Sequence, residues 1–316
     1  MEREAYRILN RDPVSGSVGM NLEISVVIPT YRRWDRLQQT LEALEQQTLA
    51  KDRFEVIISD DGSGDGTKER ASEYAAHSAL NITVISGPNG GPAAARNRGI
   101  AIAKGEWVAF TDDDCIPGPD WLNGYLSAIT KDGGLGGAGG LVERHQDTLL
   151  GRYIDWSRMM LPPTRADGTA LYLVTANAIY RRQLLMDLGG FDLAFKAPGG
   201  EDPHLSYRAR ETGARLVYVP DAKVRHMHRD TVKGIYQTWF HYGVGERVMD
   251  ELRGRDTDKR FLYMVRTEMG AVLRRLRSSV RLVDQPVYFY CELVRRWGFS
   301  RGYREQATRT VPQAWS

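Results

Sequence analysis

Only two cysteines, Cys115 and Cys291, occur in the 316 residues, one beside an acidic cluster and the other in a helical pattern, so no disulfide framework is implied. No apolar run approaches the roughly 18 residues that a bilayer crossing needs, and no cationic, apolar and cleavage pattern opens the chain. Together these absences predict a cytoplasmic protein. A large charge of either sign is also missing: the net charge is +3, which argues against a chain built wholly around nucleic acid. The small total hides a gradient, because residues 229–316 hold 17 Lys or Arg against 10 Asp or Glu, which leaves residues 1–228 at about −4. Neither glycine loop that cradles nucleotide phosphates is present, GxGxxG after a strand or GxxxxGK[ST]. A standard dinucleotide fold and a P-loop enzyme are thereby excluded. Internal repeats and low-complexity tracts are absent as well.

What is present is a regular alternation. Residues 1–22 mix charges with Pro13, Gly16 and Gly19 and read as a loosely ordered extension. Ile24–Ile28 then reads as a buried strand stopped by Pro29-Thr30-Tyr31, and Trp34, Leu37, Leu41 and Leu44 recur at helical spacing. A strand over 54–58, a helix over about 66–78, a strand over 82–85, the loop Gly87–Pro92 and a helix over 93–104 lead to the strand that starts at Trp107. Strands alternating with helices predict an α/β fold with parallel pairing through right-handed crossovers. A helix toward Lys131 follows, ended by the glycines of 133–140; Leu171–Val174 and Ala178–Tyr180 read as sheet. A helix to about Thr212 and a strand over 215–219 come next. From Thr231 the pattern is helical and basic, with Phe261, Val265, Val272 and Leu276 as candidate core and Tyr288, Phe289, Trp297 and Phe299 as exposed aromatics.

Every strand of the first half delivers polar residues at its carboxyl end, where ligands of open α/β sheets bind. The first supplies Thr30 and Tyr31, the second Asp60, Asp61 and Ser63, and the last ends in Asp112, Asp113 and Asp114. Three adjacent acids repel one another unless a cation or hydrogen-bond donors sit among them. Strand alternation would turn Asp112 and Asp114 to one partner and Asp113 to another. Arg96 and Arg98 in the first turns of a helix suit an anionic ligand. The set fits a nucleotide carrying a leaving group, with a divalent ion.

Val27-Ile-Pro-Thr-Tyr31, Ile58-Ser-Asp-Asp-Gly-Ser63, Ala95-Arg-Asn-Arg-Gly99, Phe110-Thr-Asp-Asp-Asp-Cys115, Gly189-Gly-Phe-Asp192 and Gly200-Glu-Asp202, in this order, resemble glycosyltransferase family 2 over about residues 23–229. The resemblance implies a GT-A fold, Rossmann-like and mostly parallel with flanking helices, with 23–118 as the nucleotide-binding half, 119–229 as the acceptor half and 230–316 as a basic helical extension. It further implies inverting transfer of a hexosyl or N-acetylhexosaminyl group from a nucleotide-sugar such as a UDP-sugar, with Mn²⁺ or Mg²⁺ at a DxD motif. Pro29, Thr30, Tyr31, Asp60 and Asp61 would then hold the nucleotide, Arg96 would reach toward base or pyrophosphate, and Asp112 or Asp113 would lie near the ribose. Asp114, Asp112 and His226 would hold the metal. Asp202 would be the general base and Glu201 the second candidate.

The residues alone leave other readings open. Asp202 before Pro203 reads as a helix N-cap, whose field would keep the carboxylate ionised. His226 and His228 share a strand face, Cys115 reads as packing, and Trp156, Trp239 and Tyr242 read as sugar-stacking residues or as core. Sugar-phosphate nucleotidyl transfer shares this architecture but opens with a glycine-rich loop, and residues 24–34 hold no glycine. A non-catalytic nucleotide-sugar scaffold would tolerate losing the acids that this chain retains. The acceptor, a glycan, a lipid-linked molecule or a small molecule, is undetermined. For the basic tail with Arg274, Arg275 and Arg277, three readings compete: a solvated face, a homodimer or acceptor-side contact, and peripheral attachment to the inner face of a membrane.

Overall fold

The structure is a computed structural model that describes residues 22–228, 231–256 and 280–304. The expected N-terminal extension lies almost wholly outside the described residues, as do Phe261, Val265, Val272 and Leu276 and the arginines of 274–277.

The first half is a parallel sheet. β1 (Ile24–Thr30), β2 (Phe54–Asp60), β3 (Ile82–Ser86) and β4 (Trp107–Thr111) are linked by α1 (Trp34–Glu45), α2 (Thr67–His77) and α3 (Pro92–Ile102). β1 lies between β2 and β4, and β3 flanks β2, all in parallel. β2 and β4 are buried throughout because helices cover both faces, so apolar residues dominate both strands instead of alternating with polar ones. Glu55, within β2, accepts from Ser25 Oγ at 2.7 Å. Ile24, Val26 and Ile28 meet Leu37, Leu41 and Leu44 of α1 on one face, whereas Val27 meets Ala93 and Ile100 of α3 on the other. The register sets Thr30 beside Asp60, so the polar strand ends emerge together at one edge.

The second half turns the sheet mixed. It holds β5 (Cys115–Pro117), α4 (Trp121–Lys131), β6 (Leu135–Arg144), α5 (Leu149–Ser157), β7 (Asn177–Arg181), α6 (Arg182–Asp187), α7 (Glu201–Glu211) and β8 (Arg215–His226). The strand order is β3-β2-β1-β4-β7-β6-β8-β5. β7 runs antiparallel to β4 and β6, β8 runs parallel to β6, and β5 runs antiparallel to β8.

Two expectations fail here. The glycine run does not merely end a helix; Leu135–Arg144 is a ten-residue strand in the middle of the sheet. Its glycines are there for space, since a Cβ on Gly140 would lie 2.1 Å from the Ala222 carbonyl and 2.3 Å from Asn177 Nδ2. Asn177 fills that junction completely, accepting from Trp121 Nε1 at 2.7 Å and Tyr125 Oη at 2.6 Å while donating to the Leu141 and Ala222 carbonyls. Leu171–Val174 is not a strand. Around it, backbone N–H groups serve the side chains of α7 instead of a ladder: Leu173 donates to Ser206 and Thr175 to Asp202. The sequence pattern also passed over β5, too short to show a period, and α5, which Thr148 caps by accepting from Gly151 N at 2.9 Å.

Beyond β8, α8 (Val232–Leu252) and α9 (Gln285–Arg304) pack against each other. Their backbones approach so closely that a Cβ on Gly302 would lie 1.8 Å from the Phe240 carbonyl oxygen. Tyr288 and Cys291 of α9 join Tyr153, Ile154 and Ile235 in a separate small core. Tyr288 is therefore buried rather than exposed, and Phe299 is half-buried; Phe289 and Trp297 are exposed as expected. Among the described residues no helix is long and apolar enough to cross a membrane.

Candidate active site

The acidic triplet lies just past the end of β4, where the chain turns and Cys115 N bonds the Asp112 carbonyl at 3.1 Å. Strand alternation has ceased there, so the three side chains do not divide as a strand would divide them. Asp113 and Asp114 share Arg33, whose Nη1 is 3.1 Å from each, while Asp112 accepts from Arg96 at 2.8 Å. Thr30 Oγ1 donates to Asp113 at 2.8 Å across the β1–β4 gap. Burial pushes the Asp113 carboxyl up to about 6, with Arg33 and Thr30 opposing that rise and the neighbouring acids adding to it.

Asp114 is met from three elements. Besides Arg33, Arg36 of α1 donates to its Oδ2 at 3.2 Å, and His226 Nε2 at the end of β8 lies 3.3 Å from its Oδ1. The ladder between β5 and β8 pairs Cys115 with His226, which brings the histidine to the triplet. Asp114, Cys115 and His226 offer ligand atoms within 4.8 Å of one another, and Asp112 lies outside that cluster. The His226 Nδ1 is buried without a partner among the described residues. Burial also raises the Cys115 thiol well above its ordinary range and keeps it protonated, in line with packing. A hard divalent ion that prefers oxygen and imidazole nitrogen fits Asp114 and His226. His228 stacks on His226 with ring centroids 4.5 Å apart, and burial pulls its pKa down to about 3.

Arg96 ties this group to the start of α7. Its guanidinium, 4% exposed, donates to Asp112 at 2.8 Å and to Glu201 at 3.0 Å. Asn97, next in α3, fixes the Gly190–Phe191 turn by donating to the Phe191 carbonyl and accepting from Phe191 N, both at 2.8 Å. Gly190, at φ +73°, is required there because a Cβ would meet Asn97 at 2.4 Å. Arg98 is engaged differently from expectation: it donates to Asp61 at 2.7 Å and does not line the cavity.

The N-cap of α7 is Gly200, so Asp202 stands in the first turn without capping it. Its two carboxylate oxygens accept from Thr175, Oδ2 from the backbone N at 3.0 Å and Oδ1 from Oγ1 at 2.9 Å. Burial raises the Asp202 carboxyl above its ordinary value, opposed by Arg96 and Thr175 and assisted by Asp112. The shift is thus opposite to the helix-field expectation. Glu201 accepts from Arg96 and from Gly199 N, and burial and Asp202 push it up to about 7.

These groups line one cavity of about 220 Å³. Pro29, Thr30, Tyr31, Asp61, Arg96, the triplet, Glu201, Asp202, His226 and His228 all face it. Asp60 does not; its carboxylate accepts from Gly62 N, Ser63 N and Ser86 Oγ and shapes the loop behind the wall. The opposite wall is apolar and aromatic, built from α5, the stretch after it and α8, and includes Trp239 and Tyr242. Trp156 packs in the small core against Tyr153 and Tyr288. Sequence reasoning missed Arg33, Arg36 and Thr175. The two arginines follow Tyr31 at a strand end and were there to be weighed; Thr175, in irregular chain, carries no local signal.

The sequence profile of glycosyl transferase family 2 matches residues 25–189, and the chain belongs to this family. It is 33% identical over 202 residues to the glycosyltransferase AglE of Haloferax volcanii, covering 63% of this chain and 64% of that protein. A validoxylamine A glucosyltransferase of Streptomyces hygroscopicus subsp. limoneus is 30% identical, over 64% of this chain and 51% of the relative. For a pre-mycofactocin glycosyltransferase of Mycobacterium tuberculosis the figures are 31%, 67% and 44%. The chain thus spans less than two thirds of these relatives. Among solved structures, the mannosyltransferase PcManGT of Pyrobaculum calidifontis, in complex with GDP-Man and Mn²⁺, matches with a TM-score of 0.58 at 21% identity, over 95% of this chain and 79% of that one. S. aureus TarS 1-349 in complex with UDP matches with a TM-score of 0.55 at 19% identity, over 89% and 90%. The fold is the GT-A arrangement.

Proposed function

We propose that the chain is a metal-dependent, inverting glycosyltransferase that moves a hexosyl or N-acetylhexosaminyl group from a nucleotide-sugar, in our reading a UDP-sugar, to an acceptor hydroxyl. The observation that carries this reading is the reach of Arg96, which joins Asp112 of the triplet to Glu201 beside Asp202 and so sets donor-side and proton-accepting carboxylates around one cavity. Pro29, Thr30, Tyr31 and Asp61 form its nucleotide wall, with Asp60 holding the loop behind them. Asp112 or Asp113 would lie near the ribose. Asp114 and His226, with Asp112 nearby, would hold Mn²⁺ or Mg²⁺, which supplies positive charge to the diphosphate as the glycosidic bond breaks. Complexes of PcManGT with GDP-Man and Mn²⁺ and of TarS with UDP support the donor class.

Asp202 takes the proton of the acceptor hydroxyl in this reading. Thr175 holds both carboxylate oxygens and so orients the base, while Arg96 and Thr175 oppose the burial that raises its pKa. Attack from the face opposite the departing diphosphate then inverts the anomeric centre in one step. Two free cysteines, both buried, are in keeping with a reducing, cytoplasmic setting. The test is Asp202→Asn, which keeps shape while removing the base: donor turnover should fall by about two to four orders of magnitude with UDP-sugar affinity retained. Near-normal turnover would remove Asp202 from the chemistry.

A further inference from the structure

The wall of the cavity opposite the acids carries no formal charge from an acid, lysine or arginine. From α5, the stretch after it and α8, no Lys, Arg, Asp or Glu side chain lines the cavity; Ile154, Met159, Met160, Ile235 and Trp239 do, and Val174 joins them from the chain before β7. Ile154, Val174 and Ile235 are buried, whereas Met159, Met160 and Trp239 are half-buried and retain exposed surface. α9 braces this wall: Glu292 accepts from Tyr153 Oη at 2.8 Å, beside Ile154, and the Arg295 guanidinium lies over the Trp239 ring at 4.5 Å.

The apolar wall adjoins Asp202. Val174 immediately precedes Thr175, which gives Asp202 two hydrogen bonds. From α8, Tyr242 packs on the segment before α7, since a Cβ on Gly199 would lie 2.7 Å from its Cδ1. After burial, the charge of Asp202 is the next cause that lifts the Tyr242 phenol above its ordinary range, which sets the two groups near each other. A molecule that brings a hydroxyl to Asp202 therefore has apolar side chains beside it. A bare polyol fits poorly, because hydroxyls withdrawn from water against isoleucine, valine and methionine find no hydrogen-bond partner there. An alkyl or aryl group gains from the same burial, and the two thioether side chains adapt to its shape. The polar groups that α8 adds, Gln237, Thr238, His241 and Tyr242, suit a hydroxyl-bearing end. Together they describe a ligand with one polar end and one apolar end.

We propose that the acceptor is an amphiphile that presents a hydroxyl to Asp202 and lays an uncharged alkyl or aryl group on Met159, Met160 and Trp239. The inference rests on the reading of this cavity as the transfer site with Asp202 as its base. The full chain, saturated with UDP and Mn²⁺, tests it by calorimetric titration with methyl, hexyl and phenyl β-glucosides, which share a headgroup and differ in the apolar group. The hexyl and phenyl glucosides should each bind at least about tenfold more tightly than the methyl glucoside. Met159→Gln with Met160→Gln keeps side-chain length and should erase that preference, while Met159→Leu with Met160→Leu should retain it. Melting temperature and UDP affinity should stay at wild-type values in both variants. The two readings fail differently: absence of UDP binding by wild type strikes the donor reading and this inference with it, whereas UDP binding without a preference among the glucosides strikes the acceptor class alone. Three results overturn the proposal in a protein that binds UDP: equal affinity for the three glucosides, which would point to a polyol acceptor, no binding of the hexyl and phenyl glucosides, or an undiminished preference in the glutamine variant.

Discussion

Thr175 gives Asp202 two hydrogen bonds, and the energetic weight of that contact falls on the ionised carboxylate. In its proposed role as base, Asp202 with its raised pKa would be protonated over more of the acid range, so activity should decline, as pH falls, at a higher pH than an ordinary aspartate would allow. Removing the hydroxyl in Thr175→Val deletes a contact that favours the charged form. The acid limb of the pH profile of turnover should then move to still higher pH, with turnover lowered on the limb and little changed well above it. An unchanged limb would separate Thr175 from the base. Arg36 acts on the neighbouring acid: it holds Asp114 Oδ2 at 3.2 Å and the Met227 carbonyl at 3.2 Å, so an arriving ion must compete with a guanidinium. Arg36→Ala should therefore tighten Mn²⁺ binding in the absence of nucleotide, as read by calorimetry; weaker binding would mean that Arg36 orients Asp114 for the ion. Asp202 and the triplet stand out in the sequence because their types and neighbours are distinctive, and they line one cavity. The partners Thr175 and Arg36 could not be assigned, since their roles arise from contacts 27 and 78 residues away in sequence.

At the scale of elements, the parallel half was open to sequence reading because each strand is a short, mostly apolar segment followed by a helical stretch, as in Phe54–Asp60 and Thr67–His77. β6 was hidden because its glycines mimic a turn, although tertiary crowding is what requires them. The clash at Gly140 makes that claim measurable. Gly140→Ala must displace the Ala222 carbonyl or the Asn177 side chain, both buried between β6, β7 and β8, and should lower unfolding free energy by about 2 kcal/mol in a denaturant titration. Stability at or above wild type would show that the strand junction is looser than described. Leu171–Val174 misled in the opposite direction: its apolar side chains suit a strand, but Ser206 and Asp202 take neighbouring N–H groups that a ladder would need. That exchange is what brings Thr175 to Asp202.

The whole molecule joins segments that are far apart in sequence at one rim, with Thr30, Asp112–Asp114, Glu201, Asp202 and His226 on the polar side and α5 and α8 on the apolar side. The polar rim followed from the motifs, whereas the apolar wall depends on how α8 and α9 fold back, which charge and periodicity in the tail do not specify. The rim holds more carboxylates than arginines, and the account makes a divalent ion the group that lets a doubly negative diphosphate enter. Calorimetric titration of wild type and Asp114→Ala with UDP-sugars, once with Mn²⁺ and once with chelator, tests this most directly. The account predicts binding by wild type with Mn²⁺ and a loss of at least about tenfold with chelator or in Asp114→Ala. Equal donor affinity with and without the ion would contradict it.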